Sequence, residues 1–254
     1  MFLLGWLLFI LPLLALLYTY LWYPALLRFL ARRETEPREV YAPTDPQLPH
    51  VTLLCSLYNE EQVVAAKLVG LAELRYPSEK LSFFFGSDAS TDQTNAIVSE
   101  FANRQPGFHF FPFAKRSGKP SVINQLARQA IAERGAGPDH VLVVTDANVL
   151  LAPDSIYQLV KHFKRATVGL VDAHMQYTGL RGQGISRAED QYISGEVLLK
   201  HYEGLVWGCM IGPFGGCYAV RSDYFSPVPP TFLVDDFYIA MRVFEQGGSA
   251  INEL

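Results

Sequence analysis

A chain of 254 residues, 50% of them hydrophobic and 13% aromatic, is long enough to bury one core of its own. Its formal net charge of −4 and pI near 5.9 leave no basic excess, which excludes nucleic acid as the expected partner. Cys55, Cys209 and Cys217 form no C-x-x-C pair and the six histidines show no H-E-x-x-H spacing, so a disulfide framework, a metal cluster and a zinc site are excluded and reduced thiols are expected.

Residues 2–27 carry no charged side chain. As a helix rising about 1.5 Å per residue they would more than cover a hydrocarbon core of about 30 Å, which predicts a transmembrane helix within residues 1–30. A cleaved signal peptide would need a basic amino-terminal region, a shorter apolar run and a small-residue cleavage site, none of which is evident. Tyr18, Tyr20, Trp22 and Tyr23 cluster where one interface would lie, and Arg28, Arg32 and Arg33 follow. The positive-inside rule then predicts a cell-membrane protein whose downstream domain is cytoplasmic. Residues 31–49, rich in proline and mixed charge, read as an extended linker.

The folded part begins at about residue 50. VTLLCSLYNEE (51–61) is an apolar strand breaking into a polar turn, followed by a helix over 63–74 with apolar residues at helical spacing. LSFFFGSDASTDQT (81–94) repeats the pattern: a buried strand ends at Asp88, and Asp92 is placed to cap the helix NAIVSEFA. FHFFPF (108–113) is a third strand. Lys115, Arg116 and Lys119 then surround Gly118 at the opening of a helix, where free N–H groups and the dipole favour an anion such as phosphate. A solvated basic loop is the plainer reading. The spacing is not that of a Walker A loop, and Gly182-Gln183-Gly184 lacks the strand and third glycine of a dinucleotide fingerprint.

VLVVTDANVLLAPDSI (141–156) is a run of β-branched residues that stops at Asp146-Ala147-Asn148. A strand buried on both faces of a mostly parallel sheet reads this way, and its carboxyl end is where such sheets place ligands. Asp146 and Asn148, one residue apart, would both reach a hard divalent cation shared with phosphate oxygens; an Asx turn is the structural alternative. Pro153 and Asp154 mark a helix start, 156–164 is a short helix, 167–179 a strand candidate and 187–206 a helix on which Glu189, Asp190, Glu196 and Glu203 are expected to form the solvated face. The glycine-rich block 207–225 contains the strand CYAVR, and Asp235 and Asp236 open a final helix, where a helix cap is again the structural alternative. Strand and helix in this rhythm imply a doubly wound α/β sheet.

Taken in order, YNEE, SDASTDQT, KRSGKPSVINQ, TDAN, GPFGGCYAVR and VDDFYIAMRVFEQG make residues 51–254 resemble the membrane-bound, processive-type family 2 glycosyltransferases of GT-A fold. The resemblance implies a Rossmann-like domain over residues 50–254, with a nucleotide-binding half (50–150) and an acceptor half (151–254). It places Tyr58, Asn59 and Glu60 in a uridine pocket and Asp88 against the base. Lys119 falls near the pyrophosphate, Asp146 and Asn148 on the D-x-D metal motif for Mg²⁺ or Mn²⁺, and Asp236, preceded by Asp235, on the general base of the T-E-D motif.

Three departures stand out. Ser56 replaces a common proline, Asn148 replaces the second aspartate and weakens a direct metal bond, and the chain stops before a Q-x-x-R-W segment, so the domain is expected to be carboxyl-terminally incomplete. The implied reaction is a one-step inverting transfer of glucose or N-acetylglucosamine from a UDP-sugar to a polysaccharide or lipid acceptor. A nucleotidyltransferase and a non-catalytic, membrane-tethered nucleotide-sugar-binding protein are the competing readings.

Overall fold

The computed structural model describes residues 2–32, 39–176 and 185–253. Residues 33–38 of the proline-rich stretch, the end of the 167–179 strand candidate, the Gly182-Gln183-Gly184 turn and the side chains of Glu189 and Asp190 lie outside the described residues.

The amino-terminal apolar run forms α1 (Phe2–Leu17) and α2 (Tyr23–Ala31), joined without a break by a five-residue π-helical turn. Residues 4–31 are long and apolar enough to cross a membrane. The last turns of this helix do not stand free, because Leu27 and Ala31 are buried. Residues 39–49, expected as an extended linker, also pack on the domain. Tyr41 and Leu48 are buried, and the Tyr41 N–H donates to the Lys161 carbonyl at 2.9 Å. Lys80 Nζ adds bonds to the Pro46 and Leu48 carbonyls at 2.6 and 2.7 Å, and the Tyr157 hydroxyl donates to the Tyr41 carbonyl at 2.9 Å.

Seven strands build one sheet: β1 (His50–Leu57), β2 (Leu81–Asp88), β3 (Phe108–Phe113), β4 (His140–Thr145), β5 (Val168–Asp172), β6 (Cys217–Arg221) and β7 (Ser249–Asn252). Their order is β3-β2-β1-β4-β6-β5-β7. β6 runs antiparallel to β4 and β5, and the other pairs are parallel. Period-2 alternation sends Leu53, Cys55, Val143 and Val171 to one face and Leu54, Val144, Leu170 and Val220 to the other, all fully buried. Each such side chain contributes roughly 1.5–3 kcal/mol on burial.

The first face is covered by α3 (Val64–Ala72), α4 (Thr94–Ala102) and α6 (Ser155–Val160), and the second by α5 (Lys119–Arg134) and α8 (Asp235–Glu245). α7 (Ile185–Trp207) packs against both β7 and α2. Here one expectation is corrected. Glu203 is buried rather than solvated: the Tyr23 hydroxyl donates to Oε1 at 2.9 Å and the Ile211 N–H to Oε2 at 3.2 Å. The carboxylate is retained inside because both oxygens find donors.

Chain excursions leave β1 toward β2 on one side and β4 on the other. Their carboxyl ends therefore bound a crevice at the switch point of the sheet.

Candidate active site

β1 delivers Tyr58, Asn59 and Glu60 to the crevice. The guanidinium of Arg116 lies 3.7 Å above the Tyr58 ring centroid, a cation–π pair linking the β1 turn to the basic turn before α5. Asn59 has φ +55, and its side-chain oxygen accepts the Thr91 N–H at 2.9 Å. The Glu60 N–H donates to Thr94 Oγ1 at 2.8 Å. Burial pushes the Glu60 carboxyl above its ordinary pKa, and the charges of Asp146 and Asp92 push the same way. Gln93, not Asp92, occupies the cap position of α4, but Asp92 one residue earlier accepts the Thr94 N–H at 3.0 Å.

Asp88 closes β2, 2% exposed. Its carboxylate accepts the N–H groups of Ser117 at 2.6 Å and Gly118 at 2.8 Å. The same carboxylate expected against the base thus also anchors the turn opening α5. Unpaired N–H groups at a helix start are strong partners for a carboxylate.

Lys119, the first residue of α5, stands at the centre. Its Nζ is 2.7 Å from Asp146 Oδ1 and 3.8 Å from Asp235 Oδ1. Burial works against the ammonium, but Asp235, Asp146 and Asp236 together outweigh it and raise its pKa. Asp146 follows β4 directly, and its N–H donates to the Gly216 carbonyl at 3.0 Å, tying the turn to the glycine-rich block. Asn148 is exposed on the same turn.

The acid pair sits in the first turn of α8 rather than at its cap, and Asp236 Oδ1 accepts the Phe237 N–H there at 2.8 Å. Val234 occupies the cap position. Asp235 is buried, faces Lys119 and leaves Oδ2 without a hydrogen-bond partner among the described residues. Burial, less the pull of Lys119, leaves its pKa raised, with Asp236 adding to the rise. Asp236 is half-buried and abuts Gly215, whose φ is +76; a Cβ there would lie 2.5 Å from Asp236 Oδ2. Only glycine allows this approach without strain.

Sequence reasoning passed over Asp172. At the end of β5 it accepts the Phe214 N–H with both oxygens, at 3.1 and 3.2 Å, and faces Lys200 Nζ at 3.8 Å. That ammonium in turn lies 3.4 Å over the Phe214 ring. A lone acid ending an apolar strand was the available signal. Burial pushes the Asp172 carboxyl up to about 7, with Lys200 and the Phe214 and Ala173 N–H groups pulling only part of the way back. Because the native pKa lies above the ordinary 3.8, the folded chain holds a proton that the unfolded chain has lost between about pH 4 and 7. Its contribution to stability is thus complete below that window and lost as pH rises through it. Asp172→Asn is expected to flatten this part of the Tm against pH curve, and an unchanged slope would remove Asp172 from the account.

A cavity of about 450 Å³ lined by His50, Arg134 and His140 lies at the opposite ends of β1 and β4 and shares no residue with the crevice. Against known proteins, the model of the family described as Glycosyl transferase family 2 matches residues 53–219, the greater part of the chain. The chain belongs to glycosyl transferase family 2.

Among relatives, it is 29% identical over 137 residues to the beta-monoglucosyldiacylglycerol synthase of Nostoc sp. strain PCC 7120, covering 53% of this chain and 28% of that protein. It is 25% identical over 119 residues to the poly-beta-1,6-N-acetyl-D-glucosamine synthase of Staphylococcus epidermidis, covering 47% of this chain and 26% of that protein. The mannosyltransferase PcManGT of Pyrobaculum calidifontis, solved with GDP-Man and Mn²⁺, superposes with a TM-score of 0.73 at 26% identity, over 94% of this chain and 64% of that one. The α/β sheet is accordingly the GT-A fold. The chain spans under a third of each of these two curated relatives.

Proposed function

We propose that this family 2 glycosyltransferase domain moves a sugar from a nucleotide-sugar donor, UDP-glucose or UDP-N-acetylglucosamine, to a polysaccharide or lipid acceptor at a membrane, inverting the anomeric centre. The observation that carries this reading is Lys119, held between Asp146 on the β4 turn and Asp235 at the start of α8. A lysine flanked by acids on two sides supports a reading in which its ammonium meets the leaving diphosphate.

In this reading residues 50–150 handle the nucleotide and 151–254 the acceptor. Tyr58, Asn59 and Glu60 line the base pocket, and Asp88 serves it through the Ser117–Gly118 turn it holds. Asp146 and Asn148 are hard oxygen donors suited to Mg²⁺ or Mn²⁺ completing its shell with diphosphate oxygens. Such a cation, when bound, neutralises charge on the departing diphosphate.

Lys119 adds a second positive charge beside the same leaving group. Asp236 accepts the proton of the acceptor hydroxyl as its oxygen attacks the anomeric carbon. Asp235, raised in pKa and buried behind it, orients Lys119. Full-length protein in detergent is expected to release UDP only when donor, acceptor and divalent cation are all present. Release of inorganic diphosphate instead would assign nucleotidyl transfer, and donor binding without UDP release would assign a binding protein.

The uncharged helix and the arginines that follow it support a membrane span with the domain on the cytoplasmic side. The contact of Tyr23 with Glu203, whose second oxygen takes the Ile211 N–H within the glycine-rich block, supports an acceptor side close to that membrane. Protease added to intact cells is expected to leave the domain whole. Digestion from outside would reverse the orientation.

A further inference from the structure

One buried cation has no part in the scheme above. Lys67 lies midway along α3, 1% exposed, on the face that also buries Val64, Leu68 and Leu71. Its Nζ donates to Thr145 Oγ1 at 2.8 Å and to the Val149 carbonyl at 2.5 Å. Both partners are neutral, and a buried ammonium without a paired carboxylate is an expensive occupant for a position that leucine or methionine would fill.

The location of the two acceptors suggests why it is there. Thr145 is the last residue of β4 and Val149 the first residue past Asp146-Ala147-Asn148, so one ammonium grips both ends of the turn. The other backbone restraints on the turn are the Val149 N–H to the Asp146 carbonyl at 3.3 Å and the Asp146 N–H to the Gly216 carbonyl at 3.0 Å. An ammonium supplies three donors from one point, which no neutral side chain of similar length does.

We propose that Lys67 is a positioning residue that locks the Asp146-Asn148 turn in the shape that receives a divalent cation and the donor diphosphate. This rests on the reading of Asp146 as a metal ligand. The positive charge of Lys67 repels a divalent cation, so its benefit to metal binding comes through geometry. Groups that orient metal ligands from behind typically change metal affinity 10–100-fold when removed.

The test is calorimetric titration of UDP into the full chain in detergent, with Mn²⁺ and with chelator. For Lys67→Met the gain in UDP affinity conferred by Mn²⁺ is expected to fall at least about tenfold, while metal-free affinity stays within about threefold. Thr145→Val is expected to lose part of the same gain, but it also removes the 3.4 Å bond from Thr145 Oγ1 to the Asp146 carbonyl. Lys67→Gln, whose shorter amide holds the turn less well, is expected to lose part of the Mn²⁺ gain and decides the matter if Lys67→Met does not fold. Equal losses with and without Mn²⁺, or an undiminished Mn²⁺ gain, would overturn the proposal and leave Lys67 a core residue. Asp146→Ala separates the two layers. If it keeps the Mn²⁺ gain, the metal reading itself fails; if it loses the gain while Lys67→Met keeps it, only the role of Lys67 fails.

Discussion

Asp236→Asn is expected to lower sugar transfer at least about a hundredfold while UDP affinity stays within a few-fold. General-base catalysis is typically worth about 10²–10⁴ in rate, and a base for the acceptor hydroxyl acts in the transition state without holding the donor. The pair at the start of α8 divides by exposure. Asp235 is buried against Lys119, whereas Asp236 is half-buried and pressed against Gly215, where an acceptor would reach it. The asparagine keeps the size of the side chain and its bond from the Phe237 N–H, so α8 should start as before. Asp235→Asn is expected to reduce transfer less. Rates of UDP release under saturating donor check both, and near-normal turnover in Asp236→Asn would leave the base unassigned.

The second large effect is expected at Asp146. Replacing it with alanine removes the sole carboxylate on the turn and should bring UDP affinity in Mn²⁺ down to the chelator level. Metal-free affinity should be kept, because Lys119 still has Asp235 at 3.8 Å to hold it beside the diphosphate. Asn148→Ala should cost less, since a neutral amide is the weaker ligand. Titrations with and without chelator check this, and metal dependence surviving in Asp146→Ala would move the cation elsewhere.

What could be read from the sequence was whatever the local chain determines. The β-branched run before Asp146 is buried on both faces, and a run of that kind announces itself without knowledge of its partners. Lys119 and Asp146 were legible because one opens α5 and the other directly follows β4, both at junctions of regular elements. Groups whose roles depend on distant segments were not. Glu203 looked like one more acid on a mixed helix, and Tyr23, 180 residues away, together with the Ile211 N–H lets it sit inside. Asp172 takes its meaning from Phe214, and Lys67 from the far side of β4. Asp88 showed the limit within a motif: the strand end was legible, but not that Ser117 and Gly118 would take up its carboxylate. The strand β7 escaped notice because Ser249–Asn252 is four residues with no alternation long enough to register, and it is held by β5 and α7.

In the proposed scheme sugar transfer takes place between Asp146 and Asp236 across Lys119. The most direct measurement is an experimental structure of the chain with Mn²⁺ and a non-hydrolysable UDP-sugar analogue, with the metal located by its anomalous signal. The account predicts a manganese peak bonded to Asp146, the diphosphate beside Lys119, and the sugar's anomeric carbon on the side facing the Asp236 carboxylate. A metal peak away from the β4 turn, or a sugar whose anomeric carbon turns away from Asp236, would contradict it.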